Sequence, residues 1–243
     1  MRLERLDILR WVAIVMMVIF HIQYSLQNLF GVDITFIPDF FWFYFGKISA
    51  LLFISIAWIS YFLAERKYWD AIYKKYFKYS WILAFFALLI SIWTYFFMPS
   101  QFIVFWILHF FALSFLILPY ITKLKWWTFP LAIIIIIYGV FFIKVVDSQF
   151  LFPLGFMYPW FKSADYYPFF PYFWVMLLWY SGALFPMKYN YLEKILKKKS
   201  PNSKFESGLI WSGKHALIIY IVHQPIIYIF IATVSMVFLK FTF

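Results

Sequence analysis

The chain has no cysteine and is poor in charged residues and glycine. Without cysteine there can be no disulfides, thiolate metal sites, iron–sulfur clusters or cysteine nucleophiles. Charged residues make up 13% of the 243 positions, about half the ~25% usual for a soluble domain, and 66% of the positions are hydrophobic. So much apolar surface has to face lipid, which excludes a soluble protein and predicts an integral membrane protein.

Seven apolar runs are long enough to cross the ~30 Å hydrocarbon core of a bilayer. We therefore predict an all-α, polytopic helical bundle of about seven transmembrane helices, forming a single domain over residues 1–243. The last run exceeds one span and contains Pro225, which indicates a short helix, a break and then the span. The predicted helices cover 10–29, 41–63, 79–98, 102–121, 128–146, 168–186 and 209–239.

The formal charge of +11 is distributed unevenly along the chain. In a soluble protein it would suggest nucleic acid, but here it indicates orientation, and we expect no nucleic-acid partner. Of the 21 basic residues, 17 fall at the N-terminus or in connections on the same side of the membrane, and Lys47, Lys144, Lys162 and Lys240 fall on the other side. This bias predicts a cytoplasmic N-terminus in a multi-pass protein of the cytoplasmic membrane. The basic stretch Lys197–Lys199 is either a solvated loop or a contact for anionic lipid or a phosphate-bearing ligand.

All four histidines, His21, His109, His215 and His223, lie in or at the edge of apolar segments. An ionisable group inside a bilayer costs on the order of 2.5–3.5 kcal/mol or more, so each one is a candidate functional residue. An imidazole has a reference pKa near 6.5 and can take up and return a proton at neutral pH. These histidines are the first candidates for catalysis.

Arg10 and His21 share one stripe of the first helix, since eleven residues make three turns plus about 20°, or roughly 16 Å of rise. His109 lies about as far from the outer end of its predicted helix as His21 does, so the two rings could face a common cavity. Other interpretations are open. Either histidine could be a core residue bonded to a neighbouring helix, and Arg10 could be an interfacial anchor paired with Asp7.

Polar residues near two other helix ends are further candidates. Asp165 precedes the sixth helix and could cap it, or orient an acceptor or a catalytic histidine. His215 follows Lys214 at the inner interface, where a loop role is favoured. His223 precedes Gln224 and Pro225, and the proline frees a backbone carbonyl and allows a polar pocket.

Five segments in this order resemble the heparan-α-glucosaminide N-acetyltransferase catalytic domain-like family of transmembrane acyltransferases. The first contains an arginine, ten residues and a histidine, and the resemblance covers nearly the whole chain. The segments are LDILRWVAIVMMVIFH (Leu6–His21), LFISIAWISYFLAERK (Leu52–Lys67), FIVFWILHFFALS (Phe102–Ser114), ADYYPFFPYFWVMLLW (Ala164–Trp179) and SGKHALIIYIVHQP (Ser212–Pro225).

The resemblance implies a membrane enzyme that takes an acyl group from cytoplasmic acyl-CoA, typically acetyl-CoA, and transfers it to a sugar or glycolipid acceptor at the outer face. It implies acyl-CoA as co-substrate, and we expect no metal. By motif, the catalytic candidates are His21, as general base or transient acyl carrier, His109, as acceptor-orienting or oxyanion-stabilising group, and Asp165. The candidates for binding the acyl-CoA are Arg10, Lys214, His215 and His223.

Two other functions are compatible with intramembrane histidines. His21 and His109 could ligate haem in a redox protein, or the polar residues could line the pathway of a transporter for acyl or sugar-lipid cargo. Neither alternative explains why the five family-like segments occur in this order along the chain.

The chain departs from the family pattern at five positions, where tryptophan stands in place of an expected glycine: Trp11, Trp58, Trp106, Trp174 and Trp179. Small residues let membrane helices approach each other and leave room for ligands. Two interpretations are open. Either the tryptophans belong to a divergent or inactive homologue, or UGA codons have been translated as tryptophan although the source lineage reads them as glycine.

We expect peptide mass spectrometry of the protein from its native cells to find glycine at these five positions, because five exchanges of glycine for tryptophan should overpack the site. Tryptophan masses at these positions would contradict the recoding hypothesis and favour the interpretation of a divergent or inactive homologue.

Overall fold

The structure is a computed structural model, and it describes residues 4–28, 30–32, 36–97, 99, 102–141, 145–163, 165–184, 194 and 203–240. Within these residues the predicted all-α fold is confirmed. The α-helices are α1 (Glu4–Asn28), α2 (Asp39–Lys67), α3 (Ile72–Phe97), α4 (Ile107–Ile121), α5 (Thr128–Phe141), α6 (Phe169–Ala183), α7 (Lys204–Lys214) and α8 (Ala216–Lys240).

Five helical stretches of the described chain are long and apolar enough to cross a membrane: Glu4–Asn28, Asp39–Lys67, Trp69–Phe97, Ile107–Phe141 and Ala216–Met236. They establish a multi-pass helical membrane protein. The stretch Ile107–Phe141 joins α4 and α5 through the 3₁₀ segment Thr122–Trp127, in which Lys125 has a φ of 48° and interrupts the helical backbone. The total of seven spans and the cytoplasmic N-terminus stay predictions.

Several predicted helix boundaries were wrong: the first and third helices begin at Glu4 and Ile72 instead of 10 and 79, and two further differences have a structural reason. The fourth helix begins at Ile107 instead of 102, because the preceding residues are extended and Phe105 pairs with Tyr166 in an isolated bridge. The last run breaks at His215, the C-cap of α7, whereas Pro225 lies inside α8. A proline removes one backbone hydrogen bond, but a full break in lipid would leave several polar groups unsatisfied, so the helix continues through Pro225.

The chain divides into two compact units, one made of 1–56 and 190–243 and the other of 57–189, with α2 contributing to both. In the first unit α1 packs against α7 and α8. In the second unit α3 packs against α4, and α5 packs against α6. The single domain predicted from the sequence stays a prediction.

A buried polar network holds the second unit together where α2, α4 and α6 meet. The Thr122 hydroxyl donates to the Glu65 carboxylate at 2.6 Å, and the Tyr61 hydroxyl donates to the same oxygen at 3.1 Å. The Tyr180 hydroxyl donates to the Thr122 carbonyl at 3.2 Å. These donors compensate for the burial of the Glu65 side chain, which would be costly without them.

The first unit depends on a close approach of α7 to the start of α1. A Cβ atom at Gly213 would lie 1.9 Å from the Asp7 carbonyl oxygen, so only glycine allows this backbone contact. Asp7 is fully buried there and forms an ion pair with Arg10. The contact brings the end of α7 against the first turns of α1.

We predict that Gly213→Ala lowers the thermal stability of the detergent-purified protein by about 1–3 kcal/mol, because the added methyl group forces the two backbones apart. Gly208→Ala on the same helix is the matched control, since a Cβ at Gly208 meets nothing within 4 Å. The control should be neutral or stabilising by up to about 1 kcal/mol, because alanine has the higher helix propensity. Equal melting temperatures for the two variants would contradict the close approach.

Candidate functional site

Two imidazoles and an amide meet between α1 and α8. The ring centroids of His21 and His223 lie 4.9 Å apart. The side-chain nitrogen of Gln224 lies 2.6 Å from Nδ1 of His21, within hydrogen-bond distance. These three residues, which we call the imidazole cluster, come from sequence positions about 200 apart and are brought together by the packing of α1 on α8.

The protonation of His223 follows from its partner. Its Nδ1 lies 2.7 Å from the Tyr220 carbonyl oxygen. Because a carbonyl can only accept a hydrogen bond, Nδ1 must donate and therefore carries the proton. In the neutral ring Nε2 then has a lone pair, and this buried atom has no hydrogen-bond partner among the described residues. An unsatisfied buried polar atom is unfavourable, so the nitrogen is suited to accept from a ligand.

A second group of candidates lies at the other end of the first unit. Arg10 is half-buried and paired with Asp7, as one interpretation of the sequence predicted. Lys214 is exposed, and His215 is the C-cap of α7, with its Nδ1 2.8 Å from the Trp211 carbonyl oxygen. Gly213 contacts Asp7, so Lys214 and His215 follow this contact directly in the chain and Arg10 lies one turn of α1 beyond it. We call Arg10, Lys214 and His215 the basic end.

The basic end and the imidazole cluster lie at different heights along α1 and along the consecutive helices α7 and α8. Arg10 and His21 are separated by eleven residues of α1, or roughly 16 Å. His223 lies eight residues beyond His215, or roughly 12 Å along α8. The first unit therefore has a basic end and, further along its helices, a polar level with two imidazoles.

His109 belongs to the second unit and has a defined tautomer. The backbone N–H of Trp106 donates to its Nδ1 at 3.4 Å, so in the neutral ring Nε2 carries the proton. The ring stacks on Phe105 with centroids 5.3 Å apart. This arrangement makes His109 a hydrogen-bond donor through Nε2, which suits the predicted acceptor-orienting or oxyanion-stabilising role better than that of a base.

A cavity of about 380 Å³ lies beside His109, between α3 and α4. Its lining is otherwise apolar apart from Ser80, whose hydroxyl donates to the Ala112 carbonyl at 2.7 Å. The lining residues are Phe77, Ser80, Trp81, Ala84, Phe105, His109, Ala112, Leu113, Leu116 and Pro153.

Asp165 lies in a loop that is anchored to the residues just before α4. The Tyr167 N–H donates to the Phe105 carbonyl at 2.9 Å, and the Ser163 hydroxyl donates to the Asp165 carbonyl at 2.6 Å. The N-cap of α6 is Pro168, which makes no side-chain capping hydrogen bond, so Asp165 does not occupy the N-cap position. Burial raises the pKa of Tyr167 well above its usual value, and the charge of Asp165 raises it further. The Tyr167 hydroxyl therefore stays protonated.

The structure thus brings the sequence candidates together in two groups. His21, His223, Arg10, Lys214 and His215 lie in the first unit, and His109 and Asp165 lie in the second. His109 is two residues from the start of α4 and His21 is seven from the end of α1, and the equal depth expected for them stays a prediction. A cavity shared by these two rings stays a prediction.

Sequence reasoning assigned no role to Gln224. An amide beside a histidine and a proline resembles ordinary helix sequence, and its partner is 203 positions away. The available signals were its place at the end of the family segment Ser212–Pro225 and the rarity of polar side chains in α8, where His223 and Gln224 are adjacent.

The five unexpected tryptophans occupy different environments. Trp58 is 1% exposed and stacks between Phe62 and Trp179, with centroids 5.6 and 6.1 Å away. Its indole nitrogen is buried without a hydrogen-bond partner among the described residues. Such a group costs about 1–3 kcal/mol, a penalty that glycine at this position would not incur.

Comparison with known proteins places the chain in one family. No curated protein and no solved structure matches it significantly. The model of the family described as heparan-alpha-glucosaminide N-acetyltransferase, catalytic, matches residues 2–225, which include all the candidate site residues and both groups of the first unit. The resemblance seen in the five segments is confirmed, and the chain belongs to the heparan-alpha-glucosaminide N-acetyltransferase catalytic family.

Proposed function

We propose that the protein transfers an acetyl group from cytoplasmic acetyl-CoA to an amine or hydroxyl of a sugar or glycolipid at the outer face of the cytoplasmic membrane. The observation that carries this proposal is the imidazole cluster, buried between α1 and α8 of a chain in an acetyltransferase family. Its rings are the proton-handling groups that acyl transfer requires.

The proposed chemistry needs one base. The acceptor heteroatom attacks the thioester carbonyl carbon as His21 takes the acceptor proton. The carbon–sulfur bond then breaks, and the proton passes from His21 to the sulfur of CoA. The products are the acetylated acceptor and free CoA, so no further reactant is required. His109 and Asp165 are proposed to orient the acceptor or stabilise the oxyanion.

The basic end is proposed to bind the phosphates of acetyl-CoA. Arg10 supplies a guanidinium that can form charge-assisted hydrogen bonds, and the exposed Lys214 ammonium and the His215 ring lie on the facing segment. With phosphates bound there, the acyl end of an extended CoA would point along α1 and α8 towards the imidazole cluster. The unpartnered Nε2 of His223 can accept a hydrogen bond from the pantetheine arm.

We predict that His21→Ala lowers kcat for acetyl transfer by about 100-fold or more, since general base catalysis contributes about 10²–10⁴. The assay uses protein in lipid nanodiscs, radiolabelled acetyl-CoA and a soluble α-glucosaminide, so that both faces are accessible. Thr233→Val on α8 is the control, because this exposed hydroxyl bonds only within its own helix.

Retention of wild-type turnover by His21→Ala would remove His21 from the mechanism. No labelled product from the wild-type protein, against empty nanodiscs, would overturn the proposed reaction. In that case a Soret band in the visible spectrum would favour the haem alternative, and transport of cargo without covalent change would favour a transporter.

We predict that Lys214→Ala raises KM for acetyl-CoA about two- to fivefold with kcat unchanged, the loss expected for one exposed ion pair worth about 0.2–1 kcal/mol. Lys204→Ala is the matched control, since this exposed lysine lies at the opposite end of α7. The shift should shrink at high salt. The same KM for both variants would remove Lys214 from the binding site.

A further inference from the structure

Among the described residues, the side-chain amide of Gln224 is the hydrogen-bond partner of the His21 ring. The Gln224 side-chain nitrogen and Nδ1 of His21 lie 2.6 Å apart, and both side chains are half-buried. With the amide nitrogen towards the ring, Nδ1 accepts the hydrogen bond and the ring proton resides on Nε2. In this state Nε2 is a donor, and the ring cannot accept a proton there.

Rotation of the amide by 180° reverses this assignment. The Gln224 carbonyl oxygen then faces Nδ1, which must carry the proton in order to donate to it. Nε2 is left with a lone pair and can act as a base. When Nε2 has taken up a proton, Nδ1 still donates to the same oxygen, so the imidazolium needs no rearrangement.

The other described neighbours of the His21 ring do not make this choice. Phe20 contributes only an aromatic ring, with centroids 5.3 Å apart. His223 has its Nδ1 proton committed to the Tyr220 carbonyl, and its Nε2 has only a lone pair to offer. This Nε2 has no hydrogen-bond partner among the described residues, so it does not bond Nδ1 of His21.

We propose that Gln224 is a positioning residue that sets the tautomer of His21, and that the catalytically competent form has the amide oxygen on the protonated Nδ1. This inference rests on the proposed acetyl transfer. In the competent form the acceptor proton moves to His21 Nε2 as the acceptor attacks the thioester, and it leaves on the sulfur of CoA. An amide provides this support without placing a second charge beside the imidazole.

The test compares two substitutions in the nanodisc assay. Gln224→Leu removes the amide, so neither a donor nor an acceptor faces Nδ1 of His21. It should lower kcat about 10–100-fold, with KM for acetyl-CoA within twofold of wild type. Gln224→Glu offers only acceptor oxygens, holds Nδ1 protonated and should retain kcat within about fivefold of wild type. Thr233→Val is again the control and should keep the wild-type kcat. The thermal unfolding of the helices is measured to check the fold of each variant.

A double-substitution cycle separates positioning from a structural role. If Gln224 acts through His21, adding Gln224→Leu to His21→Ala should cause no further loss, whereas a structural role would lower both backgrounds equally. The inference is overturned if the losses add, if Gln224→Leu stays within twofold of wild type, or if Gln224→Glu is as impaired as Gln224→Leu.

Nitrogen NMR of histidine-labelled protein provides a readout that does not depend on turnover. The His21 signal is assigned as the one that His21→Ala loses. In the Gln224→Glu variant this signal should show a proton on Nδ1. A proton on Nε2 alone would overturn the inference. If wild-type protein lacks acetyl transfer but Gln224→Glu shows the Nδ1 proton, the proposed reaction fails while the control of the His21 tautomer stands.

Discussion

The close approach of α7 to the first turns of α1 is the constraint on which the first unit depends. Gly213 lies directly on the Asp7 carbonyl, and no larger residue allows this distance. Close approach of the two backbones brings many atoms into van der Waals contact, which stabilises the pair of helices. Because α7 leads at once into α8, the contact also sets where α8 begins beside α1.

That placement determines the chemistry further along the helices. α8 continues through Pro225 without a break and carries His223 and Gln224 to His21. A break at Pro225, as expected from the sequence, would have left His223 and Gln224 at the end of a short helix instead of inside a long one. The proposed acetyl transfer and the proposed control of the His21 tautomer both depend on the packing of α1 against α8, since each requires side chains from two helices at one level.

The second unit is held by a different kind of interaction. Its polar network around Glu65 satisfies a buried carboxylate with hydroxyl groups from Tyr61 on the same helix and from Thr122 at the end of α4. The backbone pairing of Phe105 with the loop after Asp165 positions the residues before α4. A backbone N–H bonds Nδ1 of His109, so the neutral ring carries its proton on Nε2 and donates from there. His21 instead has a side-chain amide as partner, which can present either a donor or an acceptor.

The sequence by itself determined that the protein lies in a membrane, that its fold is all-α, to which family it belongs and which histidines to test. It could do so because hydropathy, charge bias and the motifs from Leu6 to Pro225 are local properties of the chain. It also predicted the Asp7–Arg10 pair, which lies within one turn of helix. The start of α4, the break at His215 and the role proposed for Gln224 were decided only by tertiary structure. Each depends on backbone pairing, helix packing or a partner 203 positions away, and a hydrogen bond between distant segments leaves no periodic pattern along the chain.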